Sequence, residues 1–237
     1  MEISVKIAEW NLGKWSMVFG IALVVWFACL GYVRAWTVGE LLEGVQKSYK
    51  KIKDLQADFH QEATLPMLNR VTEAGGRLYL KLPGKMRWEY LKGQEKIVVI
   101  NGSTMWFYEP NEQQVTITDL TKVPNSQELL TFLTGMGDLR RDFLVDETQS
   151  PVETKEGYFM VKLLPKSKTS QWTSLRLLIE PGSFHVVQTA FEGIQGERTH
   201  IQYYNIKTDL GLPEELFQFK IPEGAEVLHY PAQGPKP

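Results

Sequence analysis

Residues 75–108, GGRLYLKLPGKMRWEYLKGQEKIVVINGSTMWFY, leave the chain few folds to choose from. Leu78, Leu80 and Leu82 oppose Arg77, Tyr79 and Lys81, and Met86, Trp88 and Tyr90 oppose Arg87 and Glu89. Successive side chains of a strand point to opposite faces, so strict period two with one polar face predicts a half-exposed antiparallel sheet. Pro83-Gly84 and Asn101-Gly102 punctuate the stretch. Asn-Gly between two apolar runs is a strong hairpin signal, because both residues tolerate positive φ.

The same alternation continues on both sides. Leu55, Ala57 and Phe59 oppose Gln56, Asp58 and His60, and residues 115–120 give another strand. Residues 158–164, 174–180, 185–192, 198–206 and 219–221 read as further strands, with Pro181-Gly182 and residues 193–196 as turns. One helix precedes the sheet. Thr37 and Glu40 form a capping-box pattern, and Val38, Leu41, Leu42, Val45, Tyr49 and Ile52 make one apolar stripe at helical spacing. Leu210 to Phe217 contains Gly-Leu-Pro-Glu-Glu-Leu, a short helix start. No break in composition divides these elements, so the expected body is a single mainly β domain, a barrel or a strongly curved antiparallel sheet, with an N-terminal helix.

The pattern changes once. Asn125-Ser126 can cap a short helix in which Leu129, Leu130, Phe132 and Leu133 are apolar over most of the circumference. Gly135 and Gly137 end it, with Met136 between them, and residues 138–143 suggest one more helical turn. A short greasy helix between glycines can plug a barrel end or act as a movable lid over an apolar cavity.

The N-terminus reads as a targeting segment. Lys6 and Lys14 precede an apolar run over residues 15–32, and Val33-Arg34-Ala35 fits a secretory signal cut after Ala35. The run is also near the minimum length for an uncleaved anchor. Acylation at Cys29 would need a lipobox, which Trp26-Phe27-Ala28 fits poorly. The exported body is then residues 36–230, and residues 231–237 read as a disordered tail.

Little points to chemistry. Of 237 residues, 43% are apolar and 23% charged, with a formal net charge of −2, so the chain can bury a core and nothing favours nucleic acid as a partner. Cys29 is the one cysteine, which leaves the body without disulfide or thiolate chemistry. His60, His185, His200 and His229 lie far apart with no metal-type spacing. There is no G-x-S-x-G, and Gly135-Met136-Gly137 follows a helix and lacks the third glycine of a dinucleotide fingerprint. These features make a binding protein with no cofactor the expectation, and an enzyme without a recognisable motif the alternative. Met86, Trp88, Tyr90, Met105, Trp106, Phe107, Tyr108, Phe132 and Met136 fall close together. Such side chains suit either a bulky core or a cavity for an apolar, loosely specified ligand.

GGRLYLKLPGKMRWEY, NGSTMWFYEP and QQVTITDL, preceded by a helix leading into LQADFHQE, resemble the LolA family of periplasmic outer-membrane lipoprotein carriers. The resemblance is clearest over residues 41–133 and continues through SLRLLIEPGSFHVVQTAFEG to FQFKIPEG. It implies a half-open barrel with a helical lid over a hydrophobic cavity. Leu80, Met86, Trp88, Tyr90, Trp106 and Tyr108 are the expected cavity residues, and Leu129, Leu130, Phe132, Leu133 and Met136 the expected lid. It further implies a monomer whose partners are acylated lipoproteins, an inner-membrane lipoprotein-releasing ABC transporter and an outer-membrane receptor. Other readings on the same half-barrel are an envelope-stress regulator that binds lipoproteins and an outer-membrane receptor lipoprotein. One position departs from the family pattern. Where the best-studied branch has an arginine before the motif proline, clamping the lid, this chain has Leu82. Lys81 points to the opposite face, and Arg87 is the candidate substitute.

Overall fold

The computed structural model describes residues 36–123, 139–168 and 170–230. It opens on α1 (Val38–Lys51), whose start is the expected capping box: Thr37 Oγ1 accepts from the Glu40 N–H at 3.2 Å, and the Thr37 N–H donates to Glu40 Oε2 at 3.0 Å. Leu41, Leu42 and Val45 are buried on one side of the helix, and Lys50 and Lys51 lie in its last turn, where cations suit the dipole.

The strands follow as β1 (Asp54–Leu65), β2 (Arg70–Lys81), β3 (Lys85–Lys92), β4 (Lys96–Asn101), β5 (Thr104–Glu109) and β6 (Gln114–Asp119). After the short helix α2 (Leu139–Asp142) come β7 (Phe143–Val145), β8 (Val152–Glu153), β9 (Phe159–Pro165), β10 (Trp172–Ile179), β11 (Val186–Gly193), β12 (Arg198–Thr208) and β13 (Glu226–Tyr230). All belong to one sheet, in the order β13-β6-β5-β4-β3-β2-β1-β12-β11-β10-β9-β7, with β8 on β9. Consecutive strands joined by tight turns pair as antiparallel neighbours, which produces the runs β1 to β6 and β9 to β12. Pairing of β1 with β12 joins the two runs. Among the described residues the end strands β13 and β7 do not pair with each other, so the sheet is an unclosed half-barrel, as the family resemblance implies.

Three details differ from the sequence reading. The Asn-Gly hairpin is shifted by one residue: Asn101 pairs with Thr104, so the turn is Gly102-Ser103, with φ +62° at Gly102. Glycine at the first central position suits a II′ turn, which needs positive φ there alone. Residues 219–221 are not a strand. The last strand is β13, and it pairs with β6 in parallel, against the otherwise antiparallel sheet. All residues of β13 are exposed, so no buried face imposed the apolar-polar alternation by which strands are found in sequence.

The core lies on one face of the sheet, called here the inner face. Leu41, Leu42 and Val45 of α1 join Phe59, Leu78, Leu80, Val161, Leu163, Leu175, Leu177 and Ile179 in one continuous apolar cluster. Gly44 brings α1 close to Phe184; a Cβ at Gly44 would stand 2.3 Å from that ring.

Candidate apolar binding site

Register decides which side chains share the inner face. Leu80 pairs with Met86 and Leu55; Leu78 pairs with Trp88 and Ala57; Gly76 pairs with Tyr90 and Phe59. Four of the six expected cavity residues, Leu80, Met86, Trp88 and Tyr90, therefore stand on the same side as the core. Phe59 sits between two of them, with ring centroids 5.0 Å from both Trp88 and Tyr90 in edge-on geometry. Tyr203 of β12 approaches Trp88 at 6.4 Å. The absence of a side chain at Gly76 gives Tyr90 its place and lets β3 approach, since a Cβ there would lie 1.7 Å from the Glu89 carbonyl oxygen.

Polar atoms on this face are few. The Tyr90 hydroxyl donates to Gln61 Oε1 at 3.1 Å, and the Tyr203 hydroxyl shares a 3.0 Å hydrogen bond with Thr189 Oγ1. Burial pushes the Tyr49 and Tyr90 phenols up to about 12, and that of Tyr203 higher still, because the phenolate would lose its hydration. Lys96 Nζ lies 4.3 Å from the centre of the Tyr90 ring, and burial lowers its pKa. The Trp88 indole nitrogen Nε1 is the one buried side-chain polar atom among the described residues with no hydrogen-bond partner.

A cavity of about 30 Å³ remains between α1 and the sheet, lined by Tyr49, Leu55, Ala57, Leu78, Leu80, Val186, Thr189, Tyr203 and Ile206. That is room for a water or two, since one needs roughly 10–15 Å³ by the same measure, and far less than an acyl chain fills. The lining of this cavity is almost wholly apolar, and a chain of several CH₂ groups can enter it only by displacing some of those side chains.

Trp106 and Tyr108 stand elsewhere. Trp88 pairs with Val98 and Val98 with Phe107, whereas Trp106 pairs with Val99 and Tyr108 with Ile97. Both aromatics are therefore on the outer face, and Met105 and Phe107 take the inner one. The sequence TMWFY is apolar on both sides because the outer face is also covered. Phe219 stacks against Trp106 at 6.4 Å and lies 5.9 Å from Tyr108, and Phe217 beside them is fully buried. An alternating reading gives no phase when both faces are greasy.

Arg87, the candidate substitute for the family's clamp, has its described partners elsewhere. It lies on the outer face, where Nε contacts Glu89 Oε1 at 2.6 Å and Nη1 donates to the Leu216 carbonyl at 3.3 Å. Lys81 also reaches the C-terminal segment, through the Leu212 carbonyl at 2.6 Å and Glu214 at 2.8 Å. The expected lid residues Leu129, Leu130, Phe132, Leu133 and Met136 lie outside the described residues, as do residues 1–35 and 231–237. Phe59 and Tyr203 belong to the inner face and Tyr49 of α1 packs on it, but none was among the expected cavity residues. The parity of β1 marks Phe59, while Tyr203-Tyr204 is ambiguous because either tyrosine could face inward.

Residues 50–220 match the family described as outer membrane lipoprotein carrier protein LolA. An outer-membrane lipoprotein carrier protein of Methylococcus capsulatus is 32% identical over 186 residues, covering 74% of this chain and 81% of that one. One from Chromohalobacter salexigens is 30% identical over 217 residues, covering 91% and 96%. An uncharacterized conserved protein from Thermus thermophilus shares the fold alone, with a TM-score of 0.51 at 18% identity over 82% of this chain and all of that one. With its half-barrel, its apolar inner face and a match over most of its length, the chain belongs to the LolA family of outer-membrane lipoprotein carrier proteins.

Proposed function

We propose that this protein is a periplasmic carrier that shelters the acyl chains of lipoproteins against its inner face. It takes them from an inner-membrane lipoprotein-releasing ABC transporter and delivers them to an outer-membrane receptor. In this reading residues 1–35 are a signal peptide removed after Ala35, residues 36–230 are the carrier body, and no reaction is catalysed. One observation carries the proposal. An apolar inner face runs through Phe59, Trp88 and Tyr90 in a member of a lipoprotein-carrier family.

The described cavity beside α1 is too small for an acyl chain, and this suggests an exchange mechanism. Acyl chains exchange places with protein side chains, and Leu129, Leu130, Phe132, Leu133 and Met136 are the proposed movable set. Each CH₂ taken from water gains about 0.8 kcal/mol, and displaced side chains give part of that back. The remaining affinity is moderate, which lets a receptor with a better cavity accept the cargo. Spheroplasts releasing lipoprotein into added carrier provide the test. Trp88→Glu and Leu129→Glu are each expected to lower release severalfold; undiminished release by both folded variants would overturn the assignment.

A further inference from the structure

Trp88 is 6% exposed, and its ring is surrounded by Phe59, Tyr90 and Tyr203. An indole N–H can only donate, and a buried donor without an acceptor is a rare and unfavourable thing to keep. The neighbouring polar groups show the rule it breaks. Tyr90 has Gln61, and Tyr203 has Thr189. Phenylalanine would fill much of the same space with no such cost, so packing alone does not call for a nitrogen here.

We infer that the Trp88 indole N–H is the hydrogen-bond donor for the ester carbonyl that heads a bound acyl chain. The inference rests on the carrier reading above and adds to it a specificity: this face selects acyl esters over plain hydrocarbon. The logic is one of timing. In the ligand-free fold the donor is already stripped of water, so a carbonyl that reaches it gains a hydrogen bond without further loss from the protein side. A saturated chain offers no acceptor and gains only its burial. The donor therefore acts as a depth stop, holding the chain where its head group meets β3 while the apolar remainder stays free to slide.

The experiment compares two ligands on the exported protein. One is a peptide whose cysteine carries a dipalmitoyl-glyceryl group with two ester carbonyls; the other is its dihexadecyl ether counterpart, which has none. Binding is read by displacement of a fluorescent apolar probe. The wild-type protein is expected to prefer the ester ligand by about fivefold to tenfold, the worth of one buried neutral hydrogen bond. Trp88→Phe is expected to lose that preference; whatever the smaller ring costs both ligands cancels in the ratio. Equal binding of the two ligands by the wild type, or an ester preference kept by Trp88→Phe, overturns the inference and leaves the carrier reading standing. Failure of the wild type to bind either ligand overturns both. Should Trp88→Phe not fold, the wild-type indole N–H resonance of Trp88, assigned through its contacts with Phe59 and Tyr90, decides. It is expected to move downfield with the ester ligand and not with the ether, and the same shift with both would sink the idea.

Discussion

The carboxylate of Asp54 accepts a 2.7 Å hydrogen bond from the backbone N–H of Leu210, and its other oxygen accepts from Leu212 at 3.0 Å. Asp54 is 2% exposed at the start of β1. The Asp54 carbonyl also accepts from the Asp209 N–H at 2.9 Å. One buried acid thus fixes the point where the chain leaves β12 and turns toward the outer face. Asp54→Ala leaves two N–H groups without their acceptor, and is expected to cost about 3 kcal/mol. Urea unfolding checks this; a midpoint within error of the wild type would show that the turn holds itself.

Gly76 carries a second prediction. Its position tolerates no Cβ, because the Glu89 carbonyl oxygen would lie 1.7 Å away. The clash is with backbone, so relief requires β2 and β3 to separate where the register already shifts between Gly75 and Gly76. Gly76→Ala is expected to lower stability by about 2 kcal/mol or more. Thermal unfolding measures it, and an unchanged midpoint would mean that the two strands lie farther apart in solution.

The buried phenols set an alkaline limit. Tyr49 and Tyr90 are pushed up to about 12 from 10, because burial penalises the phenolate. Unfolded chains release those protons first, so the stability that depends on neutral phenols is complete below pH 10 and is lost as pH rises toward about 12. Ultraviolet phenolate absorbance followed alongside far-ultraviolet circular dichroism is expected to show these tyrosines ionising only as the fold is lost. Full ionisation with the β signal intact would contradict the burial.

Trp106 separates the two faces. It packs on Phe219 and not on the Trp88 side, so Trp106→Ala is expected to lower stability by about 2 kcal/mol while lipopeptide affinity stays within about twofold. Calorimetry and probe displacement measure the two effects. A loss of affinity as large as that of Trp88→Glu would place Trp106 in the binding site after all.

How far the sequence could be read follows from what imposed its pattern. The helix cap at Thr37, the alternation of β1 to β3 and the tight turns were legible because each records a local rule with one cause. Met86, Trp88 and Tyr90 were placed correctly on one face because Arg87 and Glu89 between them are charged and set the phase. Trp106 and Tyr108 were misassigned because nothing polar separates them from Met105 and Phe107, and the cover on the outer face comes from Phe217 and Phe219, over a hundred residues later in the chain. The strand β13 left no trace for the opposite reason: with every side chain exposed, its ladder to β6 is all that defines it. The unpartnered indole nitrogen of Trp88 is a fact of three dimensions, and no spacing of residues announces it.

The pairing of Leu55 with Thr208 ties the opening of the sheet to nearly its last long strand. A ribosome finishes β1 long before it makes β12, so the nascent half-barrel spends most of its synthesis with an open seam through its middle. Contacts of such long range are slow to form and leave unpaired strand exposed meanwhile. Until β12 is made, β1 can pair with β2 on one edge but keeps its other edge open, so that edge of the seam is the last part of the sheet's middle to close.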